Sequence, residues 1–312
     1  MGVRIGFGGG YGQYGVRGVG LGFSGPHQNE FAGQSESQVN MSGAGGFVEF
    51  IPNGGPPIVI YSYYGEGSAV NNFEIPVRQE PFGALYTRQS PSGTSGVDLR
   101  EKGGKYGTGV KLRRVAAGGE ISIFDRPPLD RFESRRYVFT HFNFDRLERE
   151  NVATTAAEAI FFGKTVSFGQ QQVFELVETR VGAGIGAGLE VPLGSRFNFK
   201  STARGGLYYR TGALVSNEHI TGNATPPFTL KIEDTDNGVG FDGEFGAAIE
   251  FRLSSQLSLS AGGSVSYLST LSGIDNPGSS KEINEGRTTR IGTSDAFWTA
   301  LKLNLIMHFG ER

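Results

Sequence analysis

The segment Phe297-Trp298-Thr299-Ala300-Leu301-Lys302-Leu303-Asn304-Leu305-Ile306-Met307-His308-Phe309 alternates with a period of two residues. Leu301, Leu303, Leu305, Met307 and Phe309 share one face, whereas Lys302, Asn304 and His308 share the other. Successive side chains of a β-strand point to opposite sides of the sheet, so this segment has one wholly apolar side and one that carries charge. A strand of that kind suits a wall with lipid outside and a polar lumen inside.

The same grammar recurs upstream. From Arg180 to Val191, Val181, Ala183, Ile185, Ala187, Leu189 and Val191 alternate with four glycines and Glu190. Pro192-Leu193-Gly194-Ser195 reads as a tight turn. Beyond it Phe197, Phe199, Ser201, Ala203 and Gly205 oppose Asn198, Lys200, Thr202 and Arg204. Asp242 to Leu268 predicts a second long hairpin turning at Ser254-Ser255, and Gln38 to Ile51 with Ile58 to Tyr64 a third, turning at 52–57. Val16 to Phe23 reads as the first strand. The glycine-rich Met1 to Gly15 either extends that strand or sits as an N-terminal segment in the lumen.

Polar segments at Gly25–Ser37, Gly212–Gly240 and Thr270–Ser294 read as long loops. The least regular stretch is 67–170. Within it, Gly107–Phe124 and Arg136–Leu147 read as two further strands joined by Pro127-Pro128-Leu129-Asp130, and the alanine-rich Asn151–Phe162 as a short helix at the barrel mouth. With those two strands the total is about ten, within a range of 8–12; without them it is eight, with a long insertion. The chain 1–312 is read as one barrel domain, with 67–170 holding its long loops.

Composition agrees with a barrel and excludes several other classes. A formal charge of -2 argues against nucleic acid as a partner. No apolar run approaches the roughly 18 residues of a membrane helix, and a mean hydropathy of -0.24 is what alternating strands with polar loops produce. The 50 glycines accompany 24 Phe and 11 Tyr, a pairing expected of sheet curvature and interfacial aromatic girdles. There is no cysteine, so disulfides and thiolate metal sites are absent. Met1 precedes no basic and apolar leader, so the sequence is expected to lack its export signal peptide.

Taken together, the period-two hairpins, short turns, long loops and terminal aromatic resemble the Gram-negative outer-membrane β-barrels. The resemblance is architectural and carries no motif of one family. It implies an all-β fold: a closed antiparallel transmembrane β-barrel with short periplasmic turns and long extracellular loops, located in the bacterial outer membrane. The implied partners are outer-membrane lipid, lipopolysaccharide and, during insertion, the barrel-assembly machinery. Leu303, Leu305, Met307 and Phe309 match the insertion signal, although Gly310-Glu311-Arg312 follow where the usual pattern stops.

On this parity Glu190, Lys200, Arg204, Glu244, Glu250, Arg252 and Lys302 project inward and are the candidate lumen-lining residues, close enough to pair in a narrow barrel. The basic residues Lys111, Arg113, Arg114, Arg135 and Arg136 either contact lipopolysaccharide phosphates, line a pore or form a solvated rim. The acidic run from Glu233 to Glu244 supplies weak metal candidates, Asp234, Asp236 and Asp242, against the simpler reading of a solvated loop. No cofactor is expected, and the Gly182–Gly188 run lacks the helix a dinucleotide site requires.

Chemistry is poorly supported. His141, in Tyr137-Val138-Phe139-Thr140-His141-Phe142-Asn143, is the one histidine in a suggestive run. Asn143 stands where the outer-membrane phospholipase pattern needs its serine, and no aspartate–histidine pair of the omptin type is present. Three functions follow in order: a narrow channel or transporter for small solutes; a non-conducting structural or interaction barrel with long outer loops; and, last, a lipid hydrolase.

Overall fold

The computed structural model describes residues 1–21, 33–34, 38–53, 55–75, 83–84, 97–98, 104–126, 134–161, 164–222, 228–276 and 289–310. Ten antiparallel strands form a closed barrel. They are β1 (Gly2–Gly15), β2 (Gln38–Ile51), β3 (Ile58–Ile75), β4 (Gly104–Arg126) and β5 (Arg135–Phe161). The second half comprises β6 (Lys164–Pro192), β7 (Phe197–Gly222), β8 (Phe228–Arg252), β9 (Leu257–Asp275) and β10 (Arg290–Phe309). Each pairs with its neighbour in sequence, and β1 pairs with β10 from Val3↔Phe309 to Tyr14↔Trp298, which removes both sheet edges. Two-residue ribbons at Gly20–Leu21 with Gly33–Gln34, and Gly83–Ala84 with Val97–Asp98, lie outside this wall.

The turns at 52–57, 193–196 and 253–256 lie at one end of the barrel, together with the start of β1 and the end of β10. In the 193–196 turn Gly194 has φ +124°, a conformation open to glycine at little cost, while Leu193 N–H donates to the Phe197 carbonyl at 2.9 Å.

Side-chain polarity along the strands divides the barrel into two halves. In the turn-end half the outward residues are apolar: Val138, Phe142 and Phe144 on β5, Val181 and Ile185 on β6, Leu301, Leu303 and Leu305 on β10. Two aromatic rows bound this belt. Phe241, Tyr267 and Phe297 form a ladder across β8, β9 and β10 with centroids 5.4 and 5.0 Å apart, and Phe197 packs on Phe251 at 4.8 Å near the turns. Phe241 and Phe251 lie on one strand ten residues apart, which at about 3.3 Å per residue and a tilt near 40° is about 25 Å of height. That is the thickness of a lipid-facing band. Carried on rigid closed pairing, this belt makes the chain an outer-membrane-type transmembrane β-barrel.

Beyond the belt the pattern inverts on the same strands. The outward positions become Lys111, Arg113, Arg146, Glu148, Glu150 and Glu175, with Lys111 bonded to Glu150 at 3.1 Å and Arg146 to Glu148 at 2.9 Å. The inward positions include Val110, Leu112, Leu147, Phe174 and Leu176, all nearly inaccessible, interleaved with buried Arg149, Asn151, Gln172 and Ser216. This half has the outer polarity of a water-soluble sheet, around a core of mixed apolar and polar side chains. Strands β5 to β8 run 25 to 29 residues, against the roughly 9–11 that a crossing needs, so the barrel stands well clear of the membrane.

Several sequence expectations are corrected by this second half. The expected helix over 151–162 is strand through Phe161, because its alternating inward Asn151 and Ala153 pair on both sides with β4 and β6; Phe162 lies outside the described residues. The expected loop Gly212–Gly240 is strand from Gly212 to Gly222 and again from Phe228, since register with β6 continues past the membrane. Thr270–Ser294 is strand at both ends, with a register shift between Leu268 and Leu271; its centre lies outside the described residues. The first strand is Gly2–Gly15, whereas Val16–Val19 leave the sheet with Val16 and Val19 buried. Gly107–Phe124 and Arg136–Leu147 fall within β4 and β5; their Pro127–Asp130 connection and nearly all of Gly25–Ser37 lie outside the described residues.

The glycine and aromatic content has a lumenal cause as well as an interfacial one. The Tyr63 ring lies over Gly43 and Gly65, where an added Cβ would come within 2.4 Å of its hydroxyl, and the Phe139 ring covers Gly186 in the same way. Inward rings lying flat across neighbouring strands need glycine beneath them.

Leu303 lies midway along the lipid-facing part of β10, so Leu303→Arg is expected to cost about 2–4 kcal/mol in denaturant unfolding from bilayers. A cationic change at the adjacent inward Asn304 should cost clearly less; equal losses would refute the assignment of faces.

Candidate functional site

The lumen is the place where polar groups converge, and they do so in tiers. Nearest the turns, six side chains form a closed ring of alternating charge. Arg4 on β1 bonds Glu49 on β2 at 2.8 Å and Glu250 on β8 at 2.8 Å. Lys200 on β7 bonds Glu250 at 2.8 Å and Glu190 on β6 at 3.5 Å. Arg135 on β5 closes the circuit, 3.7 Å from Glu190 and 4.0 Å from Glu49. The register produces half of this directly: Arg4 faces Glu49, Glu190 faces Arg135 and Lys200 faces Glu190 across neighbouring strands. The long arms of Arg4 and Arg135 then span the strands that contribute no charge. His308 lies beside Arg4 on β10, with Nε2 2.9 Å from Ser258 Oγ and 3.6 Å from Glu250.

A second tier is centred on Arg204, which bonds Glu244 at 3.0 Å, Glu120 at 3.4 Å and the Tyr61 hydroxyl at 3.2 Å. In a third tier Arg114 and Arg180 share Asp145 at 2.6 and 3.0 Å. Both guanidinium groups also pack on Trp298, 4.6 and 4.9 Å from a ring centroid, and Tyr14 packs on the same indole at 4.9 Å. Cations held between a carboxylate and an aromatic face fill space as well as balancing charge. Above them Val16, Val39, Met41, Val110, Leu112, Leu147, Leu268 and Leu271 form an apolar cap that includes a residue of the chain leaving β1.

Between the second and third tiers is a cavity of about 330 Å³, with Arg114, Glu120, Arg204, Glu244, Lys302 and Trp298 among its lining residues. Of the inward glycines of β1 between Arg4 and Tyr14, Gly8 and Gly10 line the cavity, whereas the Phe47 ring covers Gly6.

Of the lumenal candidates from the sequence, Glu190, Lys200 and Glu250 lie in the ring, Arg204 and Glu244 pair in the second tier, and Lys302 lines the cavity. Arg252 is half-buried at the turn end, where its backbone N–H donates to the Arg196 carbonyl. The basic cluster is divided by parity: Lys111 and Arg113 face outward, whereas Arg114 and Arg135 enter the lumen. The metal candidates do not converge. Asp236 bonds Arg210, Asp234 accepts the Ile291 N–H at 2.7 Å, and Asp242 accepts from Asn143 at 3.3 Å. The three share the inward face of the strand, but at about 3.3 Å per residue Asp242 stands about 20 Å along it from Asp236, and Glu233 turns outward to Lys231. His141 is buried against Phe139, and its Nδ1 has no hydrogen-bond partner among the described residues. Leu303, Leu305 and Phe309 are exposed on the outer face, with Met307 half-buried beside them.

Sequence reading missed Arg4 and Glu49, and left Arg135 between pore, phosphate contact and solvated rim. The signal was present: Arg4 and Glu49 are lone charges in alternating apolar and glycine segments, the mark of a lumenal position once β1 is placed at Gly2–Gly15.

No family model matches this chain, and no curated protein does. Among solved structures it is similar to the outer membrane protease OmpT from Escherichia coli, at 9% identity and a TM-score of 0.45, covering 99% of this chain and 96% of that one. A Pseudomonas aeruginosa FadL homologue gives 10% identity and a TM-score of 0.25 over 99% and 90% of the two chains. LpxR from Salmonella typhimurium gives 11% and 0.25 over 97% and 99%. Likenesses this distant carry nothing about activity, and the barrel assignment rests on the closed register and lipid-facing belt.

Glu250 bonds two cations at 2.8 Å, and its removal opens the circuit and leaves Arg4 and Lys200 buried with one carboxylate each, Glu49 and Glu190. Glu250→Ala is therefore expected to cost about 3–5 kcal/mol in reversible unfolding. Arg252→Ala, two residues away and outside the ring, should cost less than about 1 kcal/mol. Similar losses for both would show that the ring is not the stabilising unit.

Proposed function

We propose that the protein is an integral barrel of the bacterial outer membrane whose lumen is closed at rest, a non-conducting interaction barrel that presents its projecting half to the outside. The observation that carries this reading is the alternating ring Arg4–Glu49–Arg135–Glu190–Lys200–Glu250, which spans the lumen at the turn end with little accessible surface. Ring members bond their neighbours around the circuit, and their side chains are only 6–19% exposed, so they do not line a wide water-filled path. The apolar cap obstructs the other half. Ten strands enclose only a little more than the eight whose interior side chains just fill, so a few long arms suffice to close it.

In this reading the turn end is periplasmic and the tall half extracellular. Outward Lys111, Arg113 and Arg146 lie just beyond the lipid belt, at the height where lipopolysaccharide phosphates sit, and are the residues proposed to meet them. The outward Leu303, Leu305, Met307 and Phe309 are the proposed signal for the barrel-assembly machinery. A second reading, gated passage of a small solute, is favoured by one observation, the cavity between the tiers.

Purified protein in planar bilayers is expected to give no discrete conductance steps over repeated insertions, and steady unitary conductance from the unaltered protein would overturn the closed-lumen reading. For insertion, Phe309→Ala is expected to lower several-fold the yield of membrane-inserted barrel, scored by the heat-dependent gel shift. An unchanged yield would remove Phe309 from the signal.

A further inference from the structure

The cavity described above has features that a merely unfilled lumen does not require. Its volume of about 330 Å³ falls at the lower end of the range typical of small-molecule sites, roughly 300–1,000 Å³. Part of its room is a property of the sequence, because the inward Gly8 and Gly10 of β1 and Gly45 of β2 line it.

The lining holds three cations, Arg114, Arg204 and Lys302, and two carboxylates, Glu120 and Glu244; Asp145, bonded to Arg114 just outside the lining, brings the set to balance. The two arginines are committed, Arg114 to Asp145 and Arg204 to Glu244 and Glu120. Glu244 also accepts from Ser266 at 3.2 Å. Lys302 alone of the three makes no hydrogen bond or close ion pair among the described residues, although Glu244 lies within its electrostatic reach. Its cross-strand neighbours are Gly10 on β1 and Gly262 on β9, so no side chain directly opposite packs against its stem. The remaining wall includes the rings of Phe47, Tyr61, Tyr63 and Trp298, and Ser264 of β9, opposite Ala300.

An unpaired, solvated ammonium at the edge of an aromatic chamber selects for a particular chemistry. It attracts an anion as a point charge, without the planar fork an arginine would impose, while the rings take up an apolar body. We infer that the chamber is a binding site for a small organic anion with an aromatic body, its carboxylate or equivalent group on Lys302 and its ring against Tyr61, Tyr63 and Phe47. The site goes beyond the closed-lumen reading, and binding and conduction are separate measurements, so either can fail without the other.

Trp298 is the sole tryptophan of the chain and lines the chamber, which supplies an intrinsic reporter. Benzoate titrated into detergent-solubilised protein is expected to give a saturable change in Trp298 fluorescence, matched by calorimetry. Benzamide, the neutral counterpart of similar shape, should bind about tenfold more weakly, and acetate, the anion without the ring, should be comparably weak. Lys302→Gln should weaken benzoate by about tenfold while Lys302→Arg stays within a few-fold of the unaltered protein. Ser264→Phe should abolish binding by filling the chamber while the heat-dependent gel shift is retained. Absence of saturable benzoate binding to the unaltered protein would overturn the inference. So would equal affinity for benzamide, or an unchanged response in Lys302→Gln.

Discussion

The β1–β10 ladder is the contact on which the rest of the molecule depends. In hydrocarbon an unpaired N–H or C=O has no water to turn to, so a sheet that spans lipid must have no edge. Pairing Val3 with Phe309 and Tyr14 with Trp298 removes the last one and, in the same act, gives every residue of the wall an inside or an outside. It also places Arg4 beside His308 and within reach of Glu250, residues more than 240 positions apart in the chain. Without closure there is no lumen, and the charges that fill it would be single ionic groups on one face of an open sheet.

Closure also explains why the ring of ion pairs is tolerable. Buried charges are expensive to desolvate, and a lone Arg4 or Glu250 would be a liability. Here each cation meets two carboxylates and each carboxylate two cations, so the cost is offset around the whole circuit. The tiers above repeat this solution with fewer members, and the cap abandons it for apolar packing. The glycine face of β1 is the exception: it contributes no side chain, and the space it leaves is where Lys302 stands.

The inversion of polarity along single strands is the second organising feature. A strand of 29 residues such as β6 passes through two solvents. In lipid it carries Val181 and Ile185 outward and glycines inward; in water it carries Glu175 outward and Phe174 and Leu176 inward. The pleat is the same in both halves, and only the medium on each side has changed places. The lipid-type alternation therefore ends at the membrane boundary while the strand does not, which is why Asn151–Phe161 resembled a helix and Gly212–Gly222 a loop.

The sequence by itself determined the strand class, the approximate strand number and the faces of the strands that cross lipid, because a period of two against hydrocarbon leaves a pattern that local reading can recover. It also placed Glu190, Lys200, Arg204, Glu244 and Lys302 on a lumenal parity, since each sits opposite apolar neighbours in an unbroken alternation. Tertiary structure alone decided which of these groups meet. That Glu250 closes on Arg4, that Arg135 belongs with Glu49 and Glu190 and not with Lys111, and that Lys302 faces two glycines across the ladder all depend on register and closure between distant strands. Parity is a local property of the chain, but a partner across the lumen is fixed only when the sheet has closed on itself.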